Sequence, residues 1–184
     1  MARGGDALEN PITRERIVFR ETARETGGER LAYELFFVPR GFLAHDHVHP
    51  KQEERHEVVT GTLRMSVAGR ERVLEPGDVE VVPRGTRHRI WTEDEREVHL
   101  RIEISPALRR EQLIETFVGL ARDGKVNEKG YPNLLQRAVI VREYGEEGYQ
   151  LRPPPAAQKL VFAPLAALGR LRGYRSWYPE YGSP

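Results

Sequence analysis

The side chains best suited to chemistry are His47, His49 and Glu54 in one short stretch, and His88 further on. Successive side chains of a strand alternate faces, so His47 and His49 point the same way wherever that segment is extended. A short turn returns the chain, and Glu54 opens the next strand on the same side. Glu53 competes for that place, because alternation lets only one of the pair face inward. His88 lies 34 residues beyond Glu54, after the turn Pro83-Arg84-Gly85, which would bring a third imidazole in from another strand. Three neutral imidazoles and one carboxylate make a site for one divalent first-row metal, with positions left for water or substrate. The same ligands suit iron, manganese, zinc, nickel and copper. The chain has no cysteine, so disulfides and thiolate sites are excluded and a metal must take nitrogen and oxygen ligands.

Three further histidines are placed by the same alternation. His56, two residues beyond Glu54, is expected on the ligand side, facing the metal cavity. There it offers a hydrogen bond or a proton near neutral pH, or else it only bonds a neighbouring backbone or acidic group. His45 shares parity with His47 and His49 but precedes the regular strand, which puts it at the rim. His99 interrupts Val98, Leu100, Ile102 and Ile104 and belongs to the opposite, outward face.

The elements that must hold these side chains divide the chain in two. From Arg16 to about Ile104 the pattern is short and alternating, as in Leu31, Tyr33, Leu35 and Phe37. Turn signals fall at Pro39-Arg40-Gly41, Ala68-Gly69, Pro76-Gly77 and Pro83-Arg84-Gly85, and between them lie strand candidates at 57–60, 62–67, 71–75, 78–82, 87–92 and 97–104. Many short strands at this spacing indicate a sandwich or barrel. After Ser105 the period becomes helical. Ser105-Pro106 reads as an N-cap and first helical position, before an apolar face of Leu113, Ile114, Phe117, Val118 and Ala121. A second helix is predicted from Asn133 to about Tyr144. A third, after Pro153-Pro154-Pro155, carries Leu160, Val161, Leu165, Leu168 and Leu171, and Pro164 should break or kink it.

The spacing of the candidate ligands resembles the two motifs of the cupin superfamily. Gly41, His47, His49, Glu54 and Gly61 meet the first motif throughout when Glu54 rather than Glu53 is taken as its carboxylate. Gly77, Pro83, Gly85 and His88 meet the second, with Thr92 where that motif has asparagine. The resemblance implies a mainly β fold: a cupin-type double-stranded β-helix, or jelly-roll barrel, followed by C-terminal α-helices. It divides the chain into a barrel with N-terminal strands at 1–105, both metal motifs lying within 41–92, and a helical extension at 106–184 packed on the barrel or on a partner subunit. The narrower likeness is to bacterial "conserved barrel" cupins with such an extension. His47, His49, Glu54 and His88 would hold one divalent transition metal ion: Fe, Mn, Zn, Ni or Cu.

Cupins host many functions, so the fold does not select one. The leading expectation is a metal-dependent enzyme acting on a small oxygen-rich metabolite, with oxidoreductases, dioxygenases among them, and isomerases as candidates. The alternative is a non-catalytic, metal-supported module that binds or senses a small molecule. Composition narrows the partners. Of the 184 residues 39% are apolar and 31% charged, and the net charge is +1, without the positive surplus of a nucleic-acid binder. No apolar run is long enough for a membrane span and the first twenty residues hold no signal-like apolar core, so a cytoplasmic protein is expected. A homodimer is expected from the resemblance. The aromatic and basic residues from Tyr174 onward are expected to be pinned to the body.

Overall fold

The chain is described by a computed structural model covering residues 1–39, 45–151 and 154–182; Gly41 of the first motif lies outside the described residues. Ten strands come first: β1 (Ala7–Glu9), β2 (Arg16–Glu21), β3 (Leu31–Phe37), β4 (His47–Val48), β5 (Glu53–Thr60), β6 (Leu63–Val67), β7 (Arg70–Leu74), β8 (Val79–Val82), β9 (His88–Trp91) and β10 (Val98–Ser105). Then follow α1 (Arg110–Arg122), α2 (Leu134–Tyr144), the two-residue strand β11 (Tyr149–Gln150) and α3 (Pro155–Leu171). The strands form two sheets, in the orders β1-β2-β3-β10-β5-β8 and β11-β4-β9-β6-β7. The result is a mainly β jelly roll with three helices on its C-terminal side.

Alternation decides what enters the space between the sheets. On β10, Val98, Leu100, Ile102 and Ile104 are buried, while His99 turns outward, stacked on Phe36 with 4.1 Å between ring centroids. On β5, Glu54, His56 and Val58 face inward and Glu53 is exposed. Gly61 ends β5 at a φ of +81°, and an added Cβ would meet Val98 Cγ2 at 2.9 Å. Only glycine fits there, which explains its place in the motif. Thr92, where asparagine was expected, holds the turn after β9: its hydroxyl donates to the Thr62 carbonyl at 2.8 Å and accepts from the Asp94 amide.

Two expectations for the helices are corrected. Ser105-Pro106 does not start α1: β10 runs on through Ser105, which pairs with Glu53, and its hydroxyl donates to the Glu29 carbonyl. The first helix begins only at Arg110. Pro164 does not break α3, which runs from Pro155 to Leu171. The carbonyl this proline leaves without its helical donor belongs to Leu160, a residue 79% exposed, where water can bond it. The face α3 buries is also not its leucine-rich one. Gln158, Phe162, Ala166 and Gly169 face inward, whereas Leu160, Val161, Leu168 and Leu171 are exposed. Small residues explain the choice: a Cβ on Gly169 would lie 2.8 Å from Val139 Cγ2 of α2, so the two helices approach too closely for a larger side chain. By contrast α2 lies where expected, with Asn133 as its cap, accepting from the amides of Leu135 and Gln136.

The helices are not detached from the barrel. Ala107, Ile114 and Val118 join the core made by β3, β5, β6 and β10. Strand β11 pairs with β4, placing Tyr149 opposite Val48 and Gln150 opposite His47. The final segment is tied down: Trp177 donates to Glu115, Tyr178 to Gln136 and Tyr181 to Asp123.

Candidate metal centre

Two sheets bring the four side chains together. His47 on β4 lies directly opposite His88 on β9, His49 follows β4, and Glu54 reaches across from β5. One ligand atom from each of His47, His49, Glu54 and His88 can be chosen so that all four lie within 4.8 Å of one another. Donors about 2.0–2.2 Å from a single ion lie at most about 4.4 Å apart, so small side-chain shifts would bring the set onto one ion. The group could hold a metal.

The hydrogen bonds of the three rings decide which nitrogens are offered. His47 Nδ1 lies 2.9 Å from the His45 carbonyl, His49 Nδ1 2.9 Å from the Glu147 carbonyl, and His88 Nδ1 3.0 Å from the Thr86 carbonyl. A carbonyl oxygen only accepts, so each Nδ1 carries the hydrogen and each neutral ring presents a bare Nε2. This is the outer arrangement that orients metal-binding imidazoles. Around Glu54 it has a consequence. His88 Nε2 is 3.0 Å from Glu54 Oε2 and His49 Nε2 is 3.4 Å from Oε1, lone pair facing lone pair. Buried His49 Nε2 has no hydrogen-bond partner. Such contacts require a positive charge among these atoms, either a proton or a metal ion.

Burial and neighbouring charges set the protonation of His47, His49 and Glu54. Burial, with the neighbouring His88 and His49, holds His47 well below the usual imidazole range. Burial lowers His49 to about 4 although Glu54 opposes it. Burial alone would raise Glu54, but His49, His56 and His88 around it more than offset that and hold it well below the usual carboxylate range. At neutral pH His47 and His49 are therefore neutral and Glu54 ionised, the protonation states metal ligation needs.

His56 is buried and lines the cavity, and its role differs from that of the other three rings. Its Nε2 donates to Glu54 Oε2 at 3.2 Å, which leaves Nδ1 bare, buried and without a partner. It orients the carboxylate from behind. His45 lies exposed at the rim with its ring stacked on Tyr131, and His99 pairs outward with Glu34 at 3.1 Å.

The centre opens on a cavity of about 320 Å³. Its floor is the barrel, with Tyr33, Ile90 and Ile102. Its roof is the helical extension, with Arg110, Phe117, Ile140, Tyr144 and Phe162. The extension also enters the centre itself, because Glu147 supplies the carbonyl that orients His49. Arg109 clamps that segment, its Nε donating to Glu147 Oε1 at 2.6 Å and its guanidinium also holding Glu143. Gly148 makes room beside it: a Cβ there would lie 2.9 Å from His49 Cε1. None of Arg109, Arg110, Glu147 or Gly148 carries a signal in the sequence, since each acts through contacts distant along the chain.

Residues 34–105 match the family described as "Cupin domain", so the chain carries a cupin domain over that span. Among solved structures it is similar to KdgF from Halomonas sp., with 23% identity over 55% of this chain and 86% of that one, at a TM-score of 0.47. It is also similar to an RmlC-like cupin from Shewanella frigidimarina, with 21% identity, 56% and 86% coverage and a TM-score of 0.47. A predicted oxalate decarboxylase from Thermotoga maritima matches at 14% identity, 58% and 98% coverage and a TM-score of 0.48. No curated protein matches the chain. Among the described residues no helix is long and apolar enough to cross a membrane.

Proposed function

We propose that this cupin is a metal-dependent enzyme that binds one divalent transition metal ion through His47, His49, Glu54 and His88 and acts on a small metabolite in the adjoining cavity. The observation that carries the reading is the locking of three Nδ1 atoms onto backbone carbonyls, which turns three bare Nε2 atoms toward one ionised carboxylate. Once bound, such an ion polarises substrate oxygens as a Lewis acid and, with iron or manganese, supports redox chemistry.

The chain's own residues supply the rest. His56 lines the cavity and fixes Glu54 through its Nε2. Burial pushes the Tyr33 hydroxyl up to about 12, so it stays a phenol and can donate to a substrate oxygen. The helical extension covers part of the cavity beside the metal site. The test is elemental analysis of purified protein, combined with a metabolite screen run with and without oxygen. Metal-dependent product formation supports the enzyme, and oxygen consumption makes it an oxygenase. Tight ligand retention without turnover by metal-loaded protein would instead make it a binding module.

A further inference from the structure

Two adjacent arginines at the start of α1 meet different fates. Arg109 is satisfied, paired with Glu147 and Glu143. Arg110 points into the cavity over the metal centre, close enough for its charge to act on His47 and His49. Its Nε is buried without a hydrogen-bond partner, and among the described residues no carboxylate pairs with it. Its polar neighbour is the Tyr33 hydroxyl, which is neutral. A guanidinium turned into an apolar cavity without a counter-charge is costly, and a bound anion would relieve that cost.

The other carboxyls of the cavity do not serve. Glu54 belongs to the metal centre. Burial raises Glu15 to about 7, with the Thr13 hydroxyl donating to it, so near neutrality much of it is protonated. The lining also holds Asn10, Arg137, Gln150 and Gln158, but most of it is apolar, with Leu113, Ile114, Phe117, Ile140, Val141 and Phe162 contributed by the helices. We propose that Arg110 anchors a carboxylate of the ligand, and that the cavity takes a small organic acid with an apolar body rather than a uniformly polar metabolite. The guanidinium presents a planar fork of donors that matches a carboxylate. The apolar lining from α1, α2 and α3 covers the body.

This inference rests on the proposed function only in placing the ligand in the same cavity, and its test is separable. Hexanoate and hexanamide share a shape and differ in charge. Each is titrated calorimetrically into the full chain, both stripped of metal and reconstituted with Mn(II), with metal content measured alongside. The wild-type protein is expected to prefer hexanoate by roughly tenfold or more even without metal. Arg110→Gln should abolish the preference while leaving metal content unchanged, and Arg110→Lys should restore part of it. Equal binding of the two probes, no binding of hexanoate in the millimolar range, or an undiminished preference in Arg110→Gln would overturn the proposal. Failure to take up Mn(II) would count against the metal centre and leave the comparison at Arg110 readable.

Discussion

At the scale of single residues, the site depends on atoms that are not ligands. Gly148 touches His49 only through the absence of a side chain. Gly148→Ala should displace the imidazole by a few tenths of an ångström and weaken metal binding by about 10-fold or more, as lost outer contacts do. Competitive titration with a chromophoric chelator checks this, and unchanged affinity would mean that the ring does not need its present position. Glu15 makes a prediction about pH. Its folded value of about 7 lies above the ordinary carboxyl value of 4.5, so the folded chain binds the extra proton between those limits. Stability is therefore lost as pH rises through that window. Glu15→Gln should leave the unfolding free energy at pH 4 nearly unchanged and raise it by about 1–2 kcal/mol at pH 8, an estimate kept low because the group faces a cavity. Denaturant unfolding at both pH values decides it. His49 and Glu54 act in the opposite sense: both are depressed, so in metal-free protein the contribution of His49 is lost as pH falls below about 6.5 and that of Glu54 only as pH falls below about 4.5.

Among the elements, the segment joining α2 to β11 does the least expected work. Its Glu147 carbonyl fixes the tautomer of the candidate ligand His49, 98 residues earlier, and Arg109 at the start of α1 holds it there. Arg109→Ala touches no ligand, yet it should lower metal affinity by about 10–100-fold. Metal affinity at the wild-type value in a folded variant would show that the clamp is only structural. The contrast with β5 shows what a sequence can reveal. Strand alternation puts Glu54 and His56 on one face and Glu53 on the other, because the period of 2 is local and strict, and the motif spacing to Gly61 selects Glu54. The clamp, the β4–β11 pairing and the arginine aimed into the cavity are contacts across the whole chain, and no local period encodes them. The misplaced start of α1 and the face that α3 buries have the same origin. Ser105-Pro106 has cap-like chemistry, but tertiary pairing extended β10 through it. The leucines of α3 have the better hydrophobic pattern, but Phe162, Ala166 and Gly169 have the better fit to α2.

The whole molecule is a barrel whose candidate metal site is partly covered by its own C-terminal helices. Truncation after Ser105 would remove the roof of the cavity, β11 and the Glu147 carbonyl together, and would expose the core where Val118 and Ile114 pack. The truncated protein should be insoluble or strongly destabilised; a monodisperse product with an unchanged thermal midpoint would contradict the dependence of barrel on helices. The central claim is that the chain builds one metal centre from two sheets. Its most direct measurement is a crystal structure of the full chain after incubation with Fe(II) or Mn(II), with anomalous scattering to locate the ion. One ion per chain is expected about 2.0–2.2 Å from Nε2 of His47, His49 and His88 and from a carboxylate oxygen of Glu54, with every Nδ1 still on its carbonyl. A well-ordered structure from metal-supplied protein in which these atoms lie more than about 3 Å from any ion would contradict it.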